Sequence, residues 1–163
     1  MAGDMDAVRI APARLRDLRA IARIQRLGFR PGLAYGASAL LFLWLTLRST
    51  FLVARDGARG TVIGCVIADR HQGNARIMNI ATHPEHRRRG VARELLRAVE
   101  RRNPNGDVVL MAEEWNTGAQ TLYTSEGFVR AGFARDYYGP GRNGVWMRKR
   151  RQPASSSGTR IYV

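Results

Sequence analysis

One cysteine, Cys65, and one lysine, Lys149, are all that 163 residues contain of either type. A lone thiol cannot form an internal disulfide, which excludes a disulfide-built secreted scaffold and suits a reducing cytosol. Histidine is scarce as well, with three in the chain, and no His, Cys and Asp cluster at ligand spacing; no metal site is expected. The longest apolar run, Ala39–Leu47 with Thr46 inside it, is less than half of the roughly twenty residues that cross a bilayer. The opening residues Met1–Asp6 lack the basic and apolar blocks of a secretory signal. The expectation is a cytoplasmic protein without a membrane partner.

Acidic residues are also in short supply, 13 Asp and Glu against 27 Lys and Arg, for a formal charge of +14. Such an excess predicts anionic company: a phosphorylated cofactor, nucleic acid, a ribosome or an acidic surface. With 45% hydrophobic and 25% charged residues, the composition is that of one globular domain with a real core. That domain is expected over residues 1–149. Residues 150–163 change character to Arg, Pro, Ser and Gly and read as a mobile basic tail.

Periodicity then orders the elements. A short strand at Val8–Ile10 precedes an amphipathic helix over Leu15–Leu27, in which Leu15, Leu18, Ile21, Ala22 and Ile24 share one side. Pro31 and two glycines break the chain before a second helix, Ser38–Leu47, capped by Ser38. Because that helix is apolar nearly all round, it is expected to be buried on most sides, with a groove awaiting a partner as the alternative. Strands follow at Thr50–Ala54, Thr61–Ala68 and Ala75–Thr82, then a helix over Gly90–Arg102. The remainder reads as strand Val108–Ala112, helix Thr117–Glu126, strand Phe128–Phe133 and strand Val145–Arg148. The order is β-α-α-β-β-β-α-β-α-β-β.

The segment Ile80-Ala81-Thr82-His83-Pro84-Glu85-His86-Arg87-Arg88-Arg89-Gly90-Val91-Ala92 carries the first chemical signal. It joins a strand to a helix through a tight loop, which aims free backbone N–H groups outward at a helix amino terminus and makes an anion site. Gly90 and Ala92 lack the bulk that would hold a diphosphate away, and three arginines add fork-shaped donors. A solvated basic turn is the plainer alternative. No Gly-Lys-Ser or Gly-Lys-Thr follows, so a nucleotide P-loop is not indicated.

Arg87-x-x-Gly90-x-Ala92, after a strand and Pro84, resembles the acetyl-CoA signature of the GNAT acetyltransferase superfamily. Asn116, Ala119, Leu122-Tyr123 and Gly127-Phe128 resemble a second segment of that superfamily, and the element order matches it over residues 8–149. The resemblance implies an α/β (α+β) fold, a mixed and mostly antiparallel central sheet flanked by helices. It implies acetyl-CoA as acetyl donor, held by Ile80, Ala81, Thr82, Arg87, Arg88, Arg89, Gly90, Val91, Ala92 and Asn116. Tyr123, also against the cofactor, would return a proton to the departing thiolate.

Within the superfamily, Tyr137-Tyr138, Gly127-Phe128 and Val145-Trp146-Met147 are most similar to the ribosomal-protein alanine (RimI-type) and amino-terminal acetyltransferases. That likeness implies a protein or peptide amino terminus as acceptor, gripped by Phe29, Pro31, Leu33, Tyr35, Met111, Tyr137 and Tyr138. Two positions depart from the pattern. Met111 stands where these relatives often carry a Glu or His base, which makes Glu113, on the same strand face by alternation, the candidate displaced base. Arg142-Asn143-Gly144 stands where they usually carry acidic residues.

Two other functions fit the sequence. One is acetylation of a small-molecule amine, although a protein this basic repels cationic acceptors. The other is a basic RNA- or ribosome-binding module with a vestigial acetyl-CoA site, in which the tail makes the nucleic-acid contact. A monomer and a homodimer are both open.

Overall fold

Val62 to Ala68 is apolar at every position, so as a strand it needs cover on both faces. The computed structural model, which describes residues 8–30, 32–46, 50–57 and 59–151, buries all seven residues. They lie in β3 (Val62–His71) near the middle of a seven-stranded sheet, between β2 (Thr50–Arg55) and β4 (Asn74–Thr82). The full order is β1-β2-β3-β4-β5-β7-β6, with β1 at Arg9–Pro12, β5 at Val108–Glu113, β6 at Val129–Ala134 and β7 at Gly144–Lys149. Every neighbouring pair is antiparallel except β4 and β5.

Two helices cover each face. α1 (Leu18–Gly28) and α2 (Ala37–Thr46) bury Ile21, Ile24 and Leu40 against Phe51, Val53, Cys65 and Ile67. On the opposite face α3 (Val91–Arg102) and α4 (Thr117–Ser125) set Val91, Leu95, Leu96, Val99 and Tyr123 against Leu52, Val66, Ile77 and Leu110. α3 lies so close to β3 that a Cβ on Gly64 would sit 2.8 Å from Val91 Cγ1. Each fully buried Leu or Ile in these layers contributes about 1.5–3 kcal/mol of transfer free energy.

The parallel pairing positions the site. It holds only at Ala75–Val108, Arg76–Val109 and Ile77–Leu110. Beyond these, β4 runs on to Thr82 and β5 to Glu113, each hydrogen-bonded only to its outer neighbour, β3 and β7 respectively. The two strands part and leave a wedge between them. Met78 marks the start of the divergence: the β3–β4 register slips there, with Ile67 opposite Asn79 and Ala68 opposite Ile77, and such a bulge bends the strand that carries it.

The element order follows periodicity, with four local differences. β1 lies at Arg9–Pro12 rather than Val8–Ile10. Leu15, expected on the buried side of the first helix, sits in a short 3₁₀ turn ahead of α1 and is 57% exposed. α2 begins at Ala37, so Ser38 falls inside the helix instead of capping it. Of its apolar residues only Leu40 is fully buried, while Leu41, Phe42 and Leu45 face outward. α2 meets α1 and the sheet on one side and no described element covers the other, so apolarity all round did not mean burial all round.

Of the expected tail, residues 152–163 lie outside the described residues. Its first two are exposed, and Arg151 is tied back by its N–H to Asp107 Oδ1 at 2.8 Å and its guanidinium to the Asn103 carbonyl at 3.3 Å. No helix among the described residues is long and apolar enough to cross a membrane.

Candidate active site

The wedge collects most of the residues that the motifs single out. On its β4 side run Ile80, Ala81 and Thr82, whose backbone edge toward β5 has no strand partner. Two buried side-chain oxygens on this stretch, Asn79 Oδ1 and Thr82 Oγ1, have no hydrogen-bond partner. A strand edge without a partner is what a hydrogen-bonding ligand lying along it would satisfy.

Beyond Thr82 the chain makes a 3₁₀ turn, Pro84–His86, and then the arginine loop. Arg88 at φ 63° and Gly90 at φ 76° are both left-handed, one on either side of Arg89, a curl that turns successive N–H groups to one side. The space a Cβ on Gly90 would occupy is open, so the backbone conformation, not crowding, is what favours glycine there. The first bond of α3 runs from the Glu94 N–H to the Gly90 carbonyl at 3.0 Å. The N–H groups of Val91, Ala92 and Arg93 therefore have no helical acceptor and add the positive end of the helix dipole. Arg88 and Arg89 are exposed beside them. Arg87 instead directs its guanidinium to Gly28, at the carboxyl end of α1, with Nη2 3.7 Å from where a Cβ on Gly28 would lie. His83 accepts a hydrogen bond from the Glu85 N–H at 3.3 Å and meets His86 edge to face at 5.8 Å.

Across the wedge, Asn116 caps α4, its Oδ1 accepting from the Ala119 N–H at 3.1 Å. The cap leaves the two amide donors of Asn116 free for a ligand. Tyr123, two turns on, is buried against Phe128 at 5.8 Å between ring centres. Desolvation alone pushes its hydroxyl up to about 12, so it is a proton donor throughout the neutral range.

At the mouth of the wedge the loop between β6 and β7 is bound to itself and to β5. Asn143 Oδ1 accepts from the Asp136 N–H, Asp136 Oδ1 accepts from the Gly141 N–H, and the Tyr138 hydroxyl donates to the Met111 carbonyl at 2.9 Å. Burial, then the neighbouring Tyr137, holds the Tyr138 hydroxyl well above its ordinary pKa. Tyr137 packs edge-on against Tyr138 and is 54% exposed. Met111 fills the space over Gly144, where a Cβ would come within 2.6 Å of its sulfur.

Glu113, the expected displaced base, is engaged. Arg142 grips it with Nε at 2.8 Å and Nη2 at 3.2 Å, and this hydrogen bond holds its carboxyl below the usual range, with Arg30 adding to the effect. A carboxylate so stabilised is a weak proton acceptor. Glu114 is occupied too, by the Asn143 amide at 2.8 Å. Arg142 and Asn143, which looked out of place in the sequence, are thus the partners of Glu113 and Glu114.

The loop between α1 and α2 faces this structure. Phe29 and Leu33 line a cleft of about 220 Å³ with Gly28, Arg30, Glu113, Trp115 and Asn116. Pro31 lies outside the described residues. Tyr35 does not line the cleft; its N–H is anchored to the fully buried Gln25 side chain at 2.8 Å. Burial, then the charge of Tyr137, raises its pKa. Sequence patterns did not single out Gln25, Arg30 or Trp115. Of these only Trp115, 71% exposed just ahead of a helix cap, carried a local signal.

Comparison with known proteins agrees with this geometry. The model of the acetyltransferase (GNAT) domain family matches residues 48–130. An uncharacterized N-acetyltransferase of Methanocaldococcus jannaschii is 27% identical over 143 residues, covering 85% of this chain and 89% of that protein. The fold is similar to that of Ard1 from Thermoplasma volcanium, with a TM-score of 0.80 and 24% identity over 90% of this chain and 99% of that one. It is similar also to the ribosomal-protein-S18-alanine N-acetyltransferase of Escherichia coli, with a TM-score of 0.78 and 21% identity over 96% and 100% of the two chains. With its signature loop, its wedge and half of its length inside the family model, the chain belongs to the GNAT acetyltransferases, enzymes whose acetyl donor is acetyl-CoA.

Proposed function

We propose that this N-acetyltransferase acts on the α-amino group of a protein or peptide, as the RimI-type resemblance implies. The observation that carries the reading is the acceptor end of the wedge. An apolar loop with Phe29 and Leu33 forms one wall of a cleft whose other wall is Glu113, Trp115 and Asn116, and the loop bearing Tyr137 and Tyr138 is fixed to the same strand, β5, through the Met111 carbonyl. A polypeptide end fits such a two-walled slot, whereas a small polyamine would meet surplus positive charge.

The residues divide by task. Acetyl-CoA supplies an activated acetyl thioester. The N–H groups of Val91 and Ala92, with Arg88, Arg89 and Gly90, are suited to its diphosphate, and the free edge of Ile80, Ala81 and Thr82 to its amide groups. Arg87, turned toward Gly28, would stand nearer the acceptor end. Tyr123 holds its proton at the phenol oxygen and can give it to sulfur as the thioester C–S bond breaks and the C–N bond forms. Asn116 offers its amide donors beside it. Glu113 acts through Arg142, fixing the wall that Tyr138 closes, and the amine proton passes to water. Holding a neutral amine against the thioester contributes several kcal/mol by proximity.

Residues 1–149 would be the catalytic domain, with 150–163 a basic extension. A cytoplasmic setting suits both the donor and a free thiol. The test is thiol release from acetyl-CoA with a set of short peptides, a peptide of the same sequence with a blocked amino terminus, and spermidine. Free peptides should be acetylated at the α-amine by mass spectrometry, and the blocked peptide should not react. Faster turnover with spermidine, or modification of the blocked peptide at lysine, would overturn the reading.

A further inference from the structure

Between Asp17 and Asp56 the chain has no acidic residue, and Arg19, Arg23, Arg26, Arg30, Arg48 and Arg55 fall within that stretch. Arg19, Arg23 and Arg26 follow one another at intervals of four and three on α1, so they form one stripe on its outer side. All three are exposed. Seven other arginines hold ion pairs, Arg55 with Asp17 at the edge of the stretch and Arg76, Arg93, Arg97, Arg135, Arg142 and Arg148 outside it. Among the described residues the three of the stripe have no ion pair or side-chain hydrogen bond. The stripe ends where α1 ends, and Arg30 carries the same charge directly into the acceptor cleft.

We propose that Arg19, Arg23 and Arg26 form an electrostatic track for the acceptor, which is a polypeptide bearing acidic residues a few positions after the acetylated amine. This rests on the peptide reading and narrows it. Helical rise places Arg26, Arg23 and Arg19 at roughly 3, 7 and 13 Å along the axis from Gly28, where α1 ends beside the cleft. An extended peptide advances about 3.3 Å per residue, so its carboxylates roughly one to four residues outside the cleft come alongside the stripe. Guanidinium forks match carboxylates, and none of the three arginines has an intramolecular ion pair to give up among the described residues. α1 buries its apolar side in the core and presents its charge outward, an arrangement suited to a short acidic segment passing along the helix.

The test uses the full chain and three fluorescein-labelled twelve-residue peptides, identical in their first four residues. At positions 5–10 they carry mainly Glu, Gln or Lys. Binding is read by anisotropy, independently of turnover, and KM by thiol release. Each exposed pair is worth a factor of roughly 1.5 to 5, so the Glu peptide should bind about tenfold more tightly than the Gln peptide. That advantage should shrink with added salt, and the Lys peptide should bind most weakly. In the variant Arg19→Glu, Arg23→Glu, Arg26→Glu the order should invert, with the Lys peptide preferred. The milder variant with Gln at the three positions should abolish the preference while keeping acetylation of the Gln peptide.

Equal binding of the three peptides by the wild type would overturn the proposal, and so would a preference unchanged in both variants. An RNA duplex that displaces the Glu peptide and is itself lost from the variants, at concentrations where the Glu peptide has no advantage over Gln, would assign the stripe to nucleic acid instead. Failure of every peptide to be acetylated, with charge-dependent binding intact, would sink the peptide-acetylation reading alone.

Discussion

Tyr123→Phe separates a catalytic tyrosine from a core one. The ring is 7% exposed and belongs to the core that joins α3, α4 and the sheet, with Phe128 at 5.8 Å. Its hydroxyl is shifted by desolvation and by no hydrogen bond. Removing a hydroxyl that no described hydrogen bond engages leaves every apolar contact in place. Thermal stability should therefore stay within about 1 kcal/mol of wild type. A core tyrosine with a satisfied hydroxyl would behave in the opposite way and lose stability.

Catalysis should respond differently. Loss of a positioned general acid slows turnover about 10²- to 10⁴-fold, equivalent to about 3–5 kcal/mol of barrier, with little effect on the KM for acetyl-CoA. Because the hydroxyl titrates near 12, Tyr123 stays protonated across the working range and no alkaline limb below pH 10 belongs to it. The unfolded chain ionises its tyrosine near 10 while the folded one does not, so this residue favours unfolding as pH rises beyond 10. Calorimetry and a thiol-release assay on the same preparation decide the matter. Wild-type turnover together with a loss of more than about 1 kcal/mol would refute the catalytic role.

Gly90→Val forces a β-branched residue to φ 76° and should cost about 1–3 kcal/mol while weakening acetyl-CoA at least tenfold by calorimetric titration; Gly90→Asn, which tolerates the left-handed region, should do far less. Glu113→Gln should raise the peptide KM and leave the acid limb of kcat/KM in place, because the carboxylate is held by Arg142 rather than poised to take a proton. Since its folded pKa is lowered, the stabilisation that Glu113 contributes is present above the ordinary glutamate value and lost as pH falls through the folded one. The Gln variant should show a shallower acid unfolding profile. Glu126, 9% exposed, joins α4 to Arg93 and Arg97 of α3, and Glu126→Gln should cost about 1–3 kcal/mol in chemical denaturation. Cys65, fully buried with its thiol pushed up to about 12, should react with a thiol reagent only at the rate of unfolding.

What the sequence makes legible depends on the range of the interaction. The Val62–Ala68 run and the spacing of Ile21, Ala22 and Ile24 are local patterns, and they name β3 and α1 without help. The loop before α3 is legible for a stronger reason: a left-handed backbone at its end favours glycine at position 90, so its conformation is written in residue identity. α2 misleads because periodicity reports how apolar a segment is and not how many neighbours it has. Glu113 and Arg142 lie 29 residues apart, and neither spacing nor propensity says that one neutralises the other. Met111 looked like a missing base until its sulfur was found over Gly144.

The wedge itself is the least local feature of all. It exists because β4 and β5 agree in register for three residue pairs and then separate, while each keeps its outer partner. Edge groups left unpaired inside a sheet are costly unless something binds them, so β4 and β5 would be expected to close up. Three constraints oppose closure. The bulge at Met78 turns β4, the Tyr138 hydroxyl takes the Met111 carbonyl, and Arg142 ties Glu113 toward the β6–β7 loop. Together these three constraints, which lie far apart in the chain, keep open the slot between the signature loop and α4.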